Sequence, residues 1–161
     1  MARTAVAHER RGRPVETEDV VTLMFETDAG VLGSAVISQV SAGRKNQLRF
    51  EIGGTDAAVA FDQEQPETLW IGRRSRSESI PRGVDAMAAE AAAYVTLPAG
   101  HPQGYQACFD AFVAETYATI AGAPRPEGLP GFDAGLRAAR ITEAVLDSAG
   151  GRGWVSVPTG A

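Results

Sequence analysis

The chain has 161 residues, a net charge of −5 and a single cysteine. A mildly acidic balance disfavours nucleic acid and anionic membranes as partners, because both attract basic surfaces. One cysteine excludes an internal disulfide and a cysteine-rich metal site, and we expect a cytoplasmic location. No apolar run approaches the roughly 20 residues of a membrane span, and the polar, Arg-rich start does not resemble a secretory signal.

Short strands are predicted for the first half of the chain. Thr4–Ala7 is a weak edge strand within an N-terminal arm over residues 1–14. Alternating or β-branched residues then predict further strands over 21–25, 31–40, 48–52, 57–61 and 67–72. Turn residues at Asp28–Gly30 and Gly53–Asp56 separate them. Consecutive strands joined by short turns pair antiparallel.

Helices dominate the second half. We expect an irregular segment over 73–96, with a short helix at Ala86–Tyr94. A long helix should begin at Gly100-His101-Pro102 and end at Gly122, with an apolar stripe of Tyr105, Phe109, Phe112, Thr116 and Ile120. A second helix over 133–148 should bury Ala134, Ala138, Ile141 and Val145, and Trp154–Val157 suggests a closing strand.

This element order predicts an α+β fold. We expect an open, mostly antiparallel sheet of about five to six strands, with the two main helices packed on one face. Several strands are apolar on both sides, so the other sheet face is predicted to be an oligomer interface.

Candidate ligand-binding residues lie where the long helix is predicted to begin. His101 and Tyr105 are four residues apart, which would place them on one helix face. A helix N-terminus attracts anions and polar oxygens, so this pair suits a hydroxylated ligand. The structural alternative is that His101 caps the helix while Tyr105 packs in the core.

A second polar cluster spans residues 38–46, at a strand end and in the following loop. Its Lys45 and Asn46 either form part of a ligand rim or belong to an ordinary solvated connection. The carboxylates between residues 62 and 67 are interpreted as a polar turn, and Cys108 as packing. The chain lacks the Gly-rich dinucleotide and triphosphate motifs, so no cofactor site is predicted. It also lacks H-E-x-x-H and G-x-S-x-G and has only two histidines, so no metal site or catalytic residue is predicted.

Several short sequence motifs occur in a characteristic order along the chain. They are Glu18-Asp19-Val20, Thr27–Gly30 with Gly33-Ser34, Glu51–Asp56, Leu97–Tyr105, Asp133–Ile141 and Trp154–Val157. Together they resemble the C-terminal domain of the Gfo/Idh/MocA oxidoreductases, the relatives of glucose-fructose oxidoreductase and inositol dehydrogenase. The resemblance covers nearly all of the chain after Pro14. It implies that residues 15–161 form one such domain.

In that family, a Rossmann domain binds NAD or NADP and the C-terminal domain forms much of the substrate pocket. The resemblance therefore implies that Lys45, Asn46, His101 and Tyr105 line the substrate side. It implies a sugar, inositol or related polyol as substrate. It also implies a homodimer or tetramer formed through the open sheet face.

These 161 residues lack the nucleotide-binding half. The Gly-rich loop and the catalytic Lys, Asp and His of the family are absent with it, so we expect this chain to be inactive alone. It would then be a truncated chain, a split gene or a remnant. Two other functions stay open: a stand-alone structural or dimerisation module without catalysis, and a small NTF2-like binding protein.

Overall fold

The computed structural model describes residues 1–6, 9–83, 85 and 87–158. Its strands are β1 (Ala2–Ala5), β2 (Glu9–Arg10), β3 (Arg13–Pro14), β4 (Val20–Glu26), β5 (Leu32–Ser38), β6 (Arg49–Gly53), β7 (Ala57–Asp62), β8 (Thr68–Arg73) and β9 (Ser77–Pro81). Its helices are α1 (Ala89–Ala92), α2 (Tyr105–Ile120) and α3 (Phe132–Gly151). Every strand pair in this part of the chain is antiparallel. The predicted α+β fold with open, antiparallel pairing is confirmed. The described strands form a three-stranded, a two-stranded and a four-stranded sheet, however, rather than the predicted single sheet of about five to six strands.

The chain divides into two compact units, a terminal unit (Met1–Gly43 with Pro130–Ala161) and a central unit (Arg44–Leu129). In the terminal unit, β1, β4 and β5 form a sheet in the order β1-β4-β5. The turn between β4 and β5 is the predicted one. Gly30 has φ 77°, and its N–H donates to the Thr27 carbonyl at 2.8 Å. Glycine adopts this left-handed conformation without strain.

The predicted N-terminal arm contains ordered strands. β1 pairs with β4, and β2 and β3 form a separate hairpin in which Arg10 pairs with Arg13. The two residues between them, Arg11 and Gly12, have φ 54° and 71°. Positive φ at both central positions is the signature of a type I′ turn. Ala7, at the end of the predicted edge strand, and His8 lie outside the described residues.

Helix α3 packs against β1. The Ser148 hydroxyl accepts a hydrogen bond from the Ala2 N–H at 2.9 Å and donates one to the Gly153 carbonyl. Ala2, Ala144 and Ser148 are 2%, 8% and 4% exposed, so small side chains allow close contact between helix and strand. This contact covers an edge strand, which otherwise offers unpaired backbone groups. Arg152 ends the helix in the left-handed conformation, with φ 58°.

The buried stripe predicted for this helix is mostly wrong. Ala134, Ala138 and Ile141 are exposed, and only Val145 is half-buried. The contact runs instead along Ala144 and Ser148. The position of β1, rather than the spacing of apolar residues along α3, determines which face of the helix is buried.

The central unit contains a four-stranded sheet in the order β6-β7-β8-β9. Its register places seven apolar side chains on one face: Phe50, Ile52, Val59, Phe61, Leu69, Ile71 and Ile80. None of them is buried, and Ile52 is 61% exposed. The last strand, β9, falls in the segment predicted to be irregular.

Two glycines lie beneath aromatic rings. A Cβ atom on Gly33 would fall on the ring of Phe25, its cross-strand neighbour. A Cβ atom on Gly72 would fall on the indole of Trp70, two residues earlier in β8. The missing side chains make room for the rings, which cover the strand backbone in return.

Three further expectations for the second half are corrected. Helix α2 begins at Tyr105 rather than near residue 100, because Gly100 has φ 83° and takes part in a turn. Its predicted stripe is not a core, since no α2 residue is buried and Phe112 is 43% exposed. Trp154–Val157 is not a strand, and no described strand pairs with it. The predicted short helix is present as α1, although Ala86 lies outside the described residues.

None of the helices in the described part of the chain is both long and apolar enough to span a bilayer.

Candidate substrate-binding site

The predicted site residues lie on two segments of the central unit. Lys45 and Asn46 belong to residues 44–47, ahead of β6, while His101 and Tyr105 belong to residues 97–105, at the start of α2. Both segments contact the connection between β7 and β8, residues 63–67, which we call the β7–β8 turn. The sequence identifies this stretch only as a polar turn.

The first segment is held through its backbone and its flanking side chains. Glu64 accepts hydrogen bonds from Arg44 Nη1 at 3.1 Å and from Gln47 Nε2 at 3.4 Å. Gln63 Nε2 donates to the Asn46 carbonyl at 3.3 Å. Lys45 and Asn46 themselves are exposed. The loop is therefore fixed on the turn while these two side chains face solvent.

The second segment contacts the same turn at its other end. The Gln103 N–H donates to Glu67 Oε1 at 2.7 Å. Gly104, the N-cap of α2, lies so close to Pro66 that a Cβ atom there would come within 3.2 Å of Pro66 Cγ. Both polar segments are thus anchored at one end of the four-stranded sheet.

An arginine just after β9 completes this anchor. Arg82 Nε donates to Glu67 Oε2 at 3.1 Å, Nη1 donates to the Leu97 carbonyl at 3.2 Å, and Nη2 donates to the His101 carbonyl at 2.6 Å. The Arg82 side chain is 9% exposed. The hydrogen bond from the Gln103 N–H, followed by the bond from Arg82, lowers the pKa of the Glu67 carboxyl. The Glu67 carboxylate therefore stays ionised at neutral pH.

The Gln103 side chain fixes the loop that precedes it. Its Oε1 accepts from the Thr96 N–H at 3.0 Å and from the Leu97 N–H at 3.3 Å, while its Nε2 donates to the Tyr94 carbonyl. One amide group thus satisfies three backbone groups that no helix or strand would pair.

The structure corrects the predicted relation between His101 and Tyr105. His101 is not helical: its N–H donates to the Pro98 carbonyl at 3.1 Å, in a turn that has Gly100 at its third position. The two residues therefore do not share a helix face. The structural alternatives fail as well, because Gly104 caps α2 without a side-chain bond and Tyr105 is 59% exposed. The Tyr105 ring lies 5.0 Å from that of Phe109.

Sequence reasoning missed Glu67, Arg82 and Gln103. Glu67 and Arg82 become neighbours only because β8 and β9 pair, and β9 has almost no apolar alternation. No local pattern marks Gln103 as a partner of Glu67.

A separate cleft of about 1050 Å³ also lies in the central unit. Its lining includes Glu90, Tyr94, Asp110, Glu115 and Glu127. The Tyr94 hydroxyl donates to Glu115 Oε1 at 2.6 Å, and this bond raises the pKa of the Tyr94 phenol. None of the four predicted site residues lines this cleft. Within the described ranges, no group of three or more His, Cys, Asp or Glu side chains is arranged for a metal ion.

The described residues do not form a Rossmann-type dinucleotide cradle. A dinucleotide cradle requires parallel strands joined by a helix, with the pyrophosphate at the helix N-terminus. The strand pairs described for this chain are all antiparallel.

Comparison with known proteins gives a consistent result. A family model described as the oxidoreductase family, C-terminal alpha/beta domain, matches residues 1–157. Levoglucosan dehydrogenase from Pseudarthrobacter phenanthrenivorans is 28% identical over 157 residues, covering 90% of this chain and 37% of that protein.

Solved structures resemble the whole fold. An oxidoreductase domain protein from Kribbella flavida matches with a TM-score of 0.83 and 27% identity, over 98% of this chain and 44% of that chain. A levoglucosan dehydrogenase in complex with NADH and levoglucosan also has a TM-score of 0.83, at 23% identity over the same shares, and shows a similar fold. The chain thus spans less than half the length of these relatives.

Proposed function

Because this chain belongs to the oxidoreductase family as a Gfo/Idh/MocA C-terminal α/β domain, we propose that it binds the substrate and builds the oligomer of a sugar or polyol dehydrogenase. The proposal takes residues 15–161 as the domain and residues 1–14 as its arm. The enzyme uses NAD or NADP, held by a separate nucleotide-binding domain. It acts in the cytoplasm, in keeping with the single, unpaired Cys108.

The observation that carries the substrate role is the shared anchor. Two polar segments, one with Lys45 and Asn46 and the other with His101 and Tyr105, are bonded to the same β7–β8 turn. Their side chains supply ammonium, amide, imidazole and phenol groups, which together donate and accept the hydrogen bonds that sugar hydroxyls need. In the proposed reaction these residues bind and orient the sugar. Hydride acceptance is left to the dinucleotide on the other domain.

The oligomer role is supported by the apolar face of the four-stranded sheet. Phe50 and Ile52 on β6 are 45% and 61% exposed, and Leu69 on β8 is 38% exposed. Apolar side chains that are contiguous and open to solvent usually mark a contact surface. A second copy of the same face suits this surface, because sheet faces pack on each other through alternating apolar residues.

Sugar binding is tested on the purified chain by NMR. Levoglucosan, the compound bound by a similar enzyme, should shift the resonances of Asn46, His101 and Tyr105 in a saturable way. Asn46→Ala and Tyr105→Phe should each weaken binding about tenfold, the cost of one lost hydrogen bond. Ser79→Ala on β9 is the control and should leave the affinity unchanged. If levoglucosan, myo-inositol and glucose all leave the wild-type spectrum unchanged at high concentration, the substrate role is wrong.

The oligomer is tested by light scattering. The wild-type chain should be a dimer or tetramer at micromolar concentration, and Ile52→Lys should make it a monomer by burying a charge in the interface. Glu51→Lys is the matched control, since Glu51 is the preceding residue of β6 and projects from the opposite face. A wild-type monomer would overturn this part of the proposal. The sugar-binding part of the proposal would not be affected, because the NMR titration tests it separately.

A further inference from the structure

Arg82 and Glu67 form a partly buried ion pair that contacts the segment carrying His101 and Tyr105. The Arg82 N–H donates to the Glu67 carbonyl at 2.7 Å, which extends the β8–β9 ladder by one pair beyond Thr68 and Pro81. The two side chains are therefore cross-strand neighbours on a rigid hairpin. Their mutual ion pair uses one side of the guanidinium.

The two terminal nitrogens of the guanidinium reach out of the hairpin, although Nη2 also lies 3.1 Å from Glu67 Oε2. Nη1 and Nη2 donate to the Leu97 and His101 carbonyls, which are four residues apart in the loop before α2. A planar guanidinium with five donors can bind a carboxylate and two carbonyls at once, whereas an ammonium group lacks this fork geometry. Glu67 accepts from the Gln103 N–H at the same time. Together these bonds hold the loop at both ends.

We propose that Arg82 and Glu67 are positioning residues for sugar binding: they fix the backbone of residues 97–103 on the β8–β9 hairpin, so that His101 and Tyr105 are presented in the binding conformation. The inference rests on the proposed substrate role of those two residues. Neither Arg82 nor Glu67 is assigned a contact with the sugar. They act by removing the conformational freedom that the loop would otherwise lose on binding.

A contrasting pair lies at the opposite end of the same hairpin. Arg76 Nε bonds to Glu78, but the two side chains are 67% and 33% exposed. No further acceptor for Arg76 is found among the described residues. Exposed pairs of this kind contribute little. Arg76→Gln is therefore a control for Arg82→Met that changes the same residue type in the same β8–β9 hairpin.

The test combines hydrogen exchange with sugar titration on the full chain. In Arg82→Met, the amide protons of His101 and Gln103 should exchange at least about tenfold faster, because the loop that contains them loses the hydrogen bonds from Arg82 to the Leu97 and His101 carbonyls. The affinity for levoglucosan should fall about tenfold or more, while the β7 amides keep their wild-type protection. Arg82→Lys should restore only part of the affinity. Arg76→Gln should behave as wild type in both assays.

Glu67→Gln provides a second test in case the Arg82→Met variant does not fold. The glutamine carbonyl still accepts the Gln103 N–H, but the ion pair is lost, so exchange at His101 should accelerate and affinity should fall in a folded chain. Unchanged affinity in Arg82→Met and Glu67→Gln, with a wild-type chain that binds the sugar, would overturn the inference. Unchanged exchange at His101 would also overturn it. If the wild-type chain binds none of the sugars, the proposed function fails first. The exchange data then still report whether Arg82 fixes the loop.

Discussion

The two long helices differ in what they bury. α3 places Ala144 and Ser148 in a close contact with β1, and both are less than 9% exposed. α2 buries no residue, although it carries large apolar side chains such as Tyr117 and Ile120, which are 68% and 75% exposed. The helix with the smaller side chains is the better packed one.

This difference shows that an apolar stripe is not by itself evidence of a core. A stripe becomes a core only where a neighbouring element covers it, and the small residues of α3 permit that approach. The aromatic side chains of α2, such as Phe109, Phe112 and Tyr117, stay at least 43% exposed instead. Substitutions on the two helices test this distinction.

Overpacking on α3 should give the largest effect. Ala144→Leu adds three carbons at a position that is 8% exposed, and it should lower the free energy of unfolding by about 1–3 kcal/mol. Ala118→Leu on α2, at an exposed position, should change it by less than about 0.5 kcal/mol. Urea unfolding followed by circular dichroism measures both. Equal losses would mean that α2 is packed as tightly as α3.

Removing one hydroxyl from α3 should have the next largest effect. Ser148→Ala leaves the Ala2 N–H and the Gly153 carbonyl without their partner, at a cost of about 1–2 kcal/mol. Thr142→Ala on the same helix is the control, because its hydroxyl only donates to Ala138 one turn earlier. Thermal melts of the two variants should therefore separate. Coinciding melts would show that the contact with β1 contributes no stability.

A charge on α2 should have the smallest effect. The apolar period predicts that Phe112→Asp unfolds the domain, but Phe112 is 43% exposed. We expect this substitution to lower the free energy of unfolding by less than about 1 kcal/mol, since the Phe112 side chain is only partly removed from water. The melting temperature of the variant measures this. A collapse of the fold would show that α2 is covered in solution, by a second copy or by another element.

Local sequence patterns predicted strands correctly where the connecting turn determines how the two strands pair. The β4–β5 hairpin follows from alternating residues around Gly30, whose positive φ needs glycine. Strand β9 could not be predicted in this way, because Ser77, Glu78 and Ser79 carry no apolar alternation and pair only because β8 lies beside them. The start of α2 was missed for a similar reason, since the Gly100 turn and its anchors are tertiary.

The residues of the candidate site also differ in whether the sequence could predict them. His101, Tyr105, Lys45 and Asn46 could be named from residue type and family resemblance, and their role stays a prediction. The residues that hold the two segments could not be named. Glu67 lies 36 residues from Gln103 and 15 from Arg82, and no pattern in a single sequence reports contacts over such separations.

The indole stacked over Gly72 gives the chain an optical probe. Trp70 belongs to the central unit and is 38% exposed, while Trp154, the second tryptophan of the sequence, belongs to the terminal unit. Trp154→Phe would leave a single tryptophan, on β8, the strand that follows Glu67. Its emission maximum and quenching would then report events in the central unit alone, without labelling, at concentrations far below those of NMR.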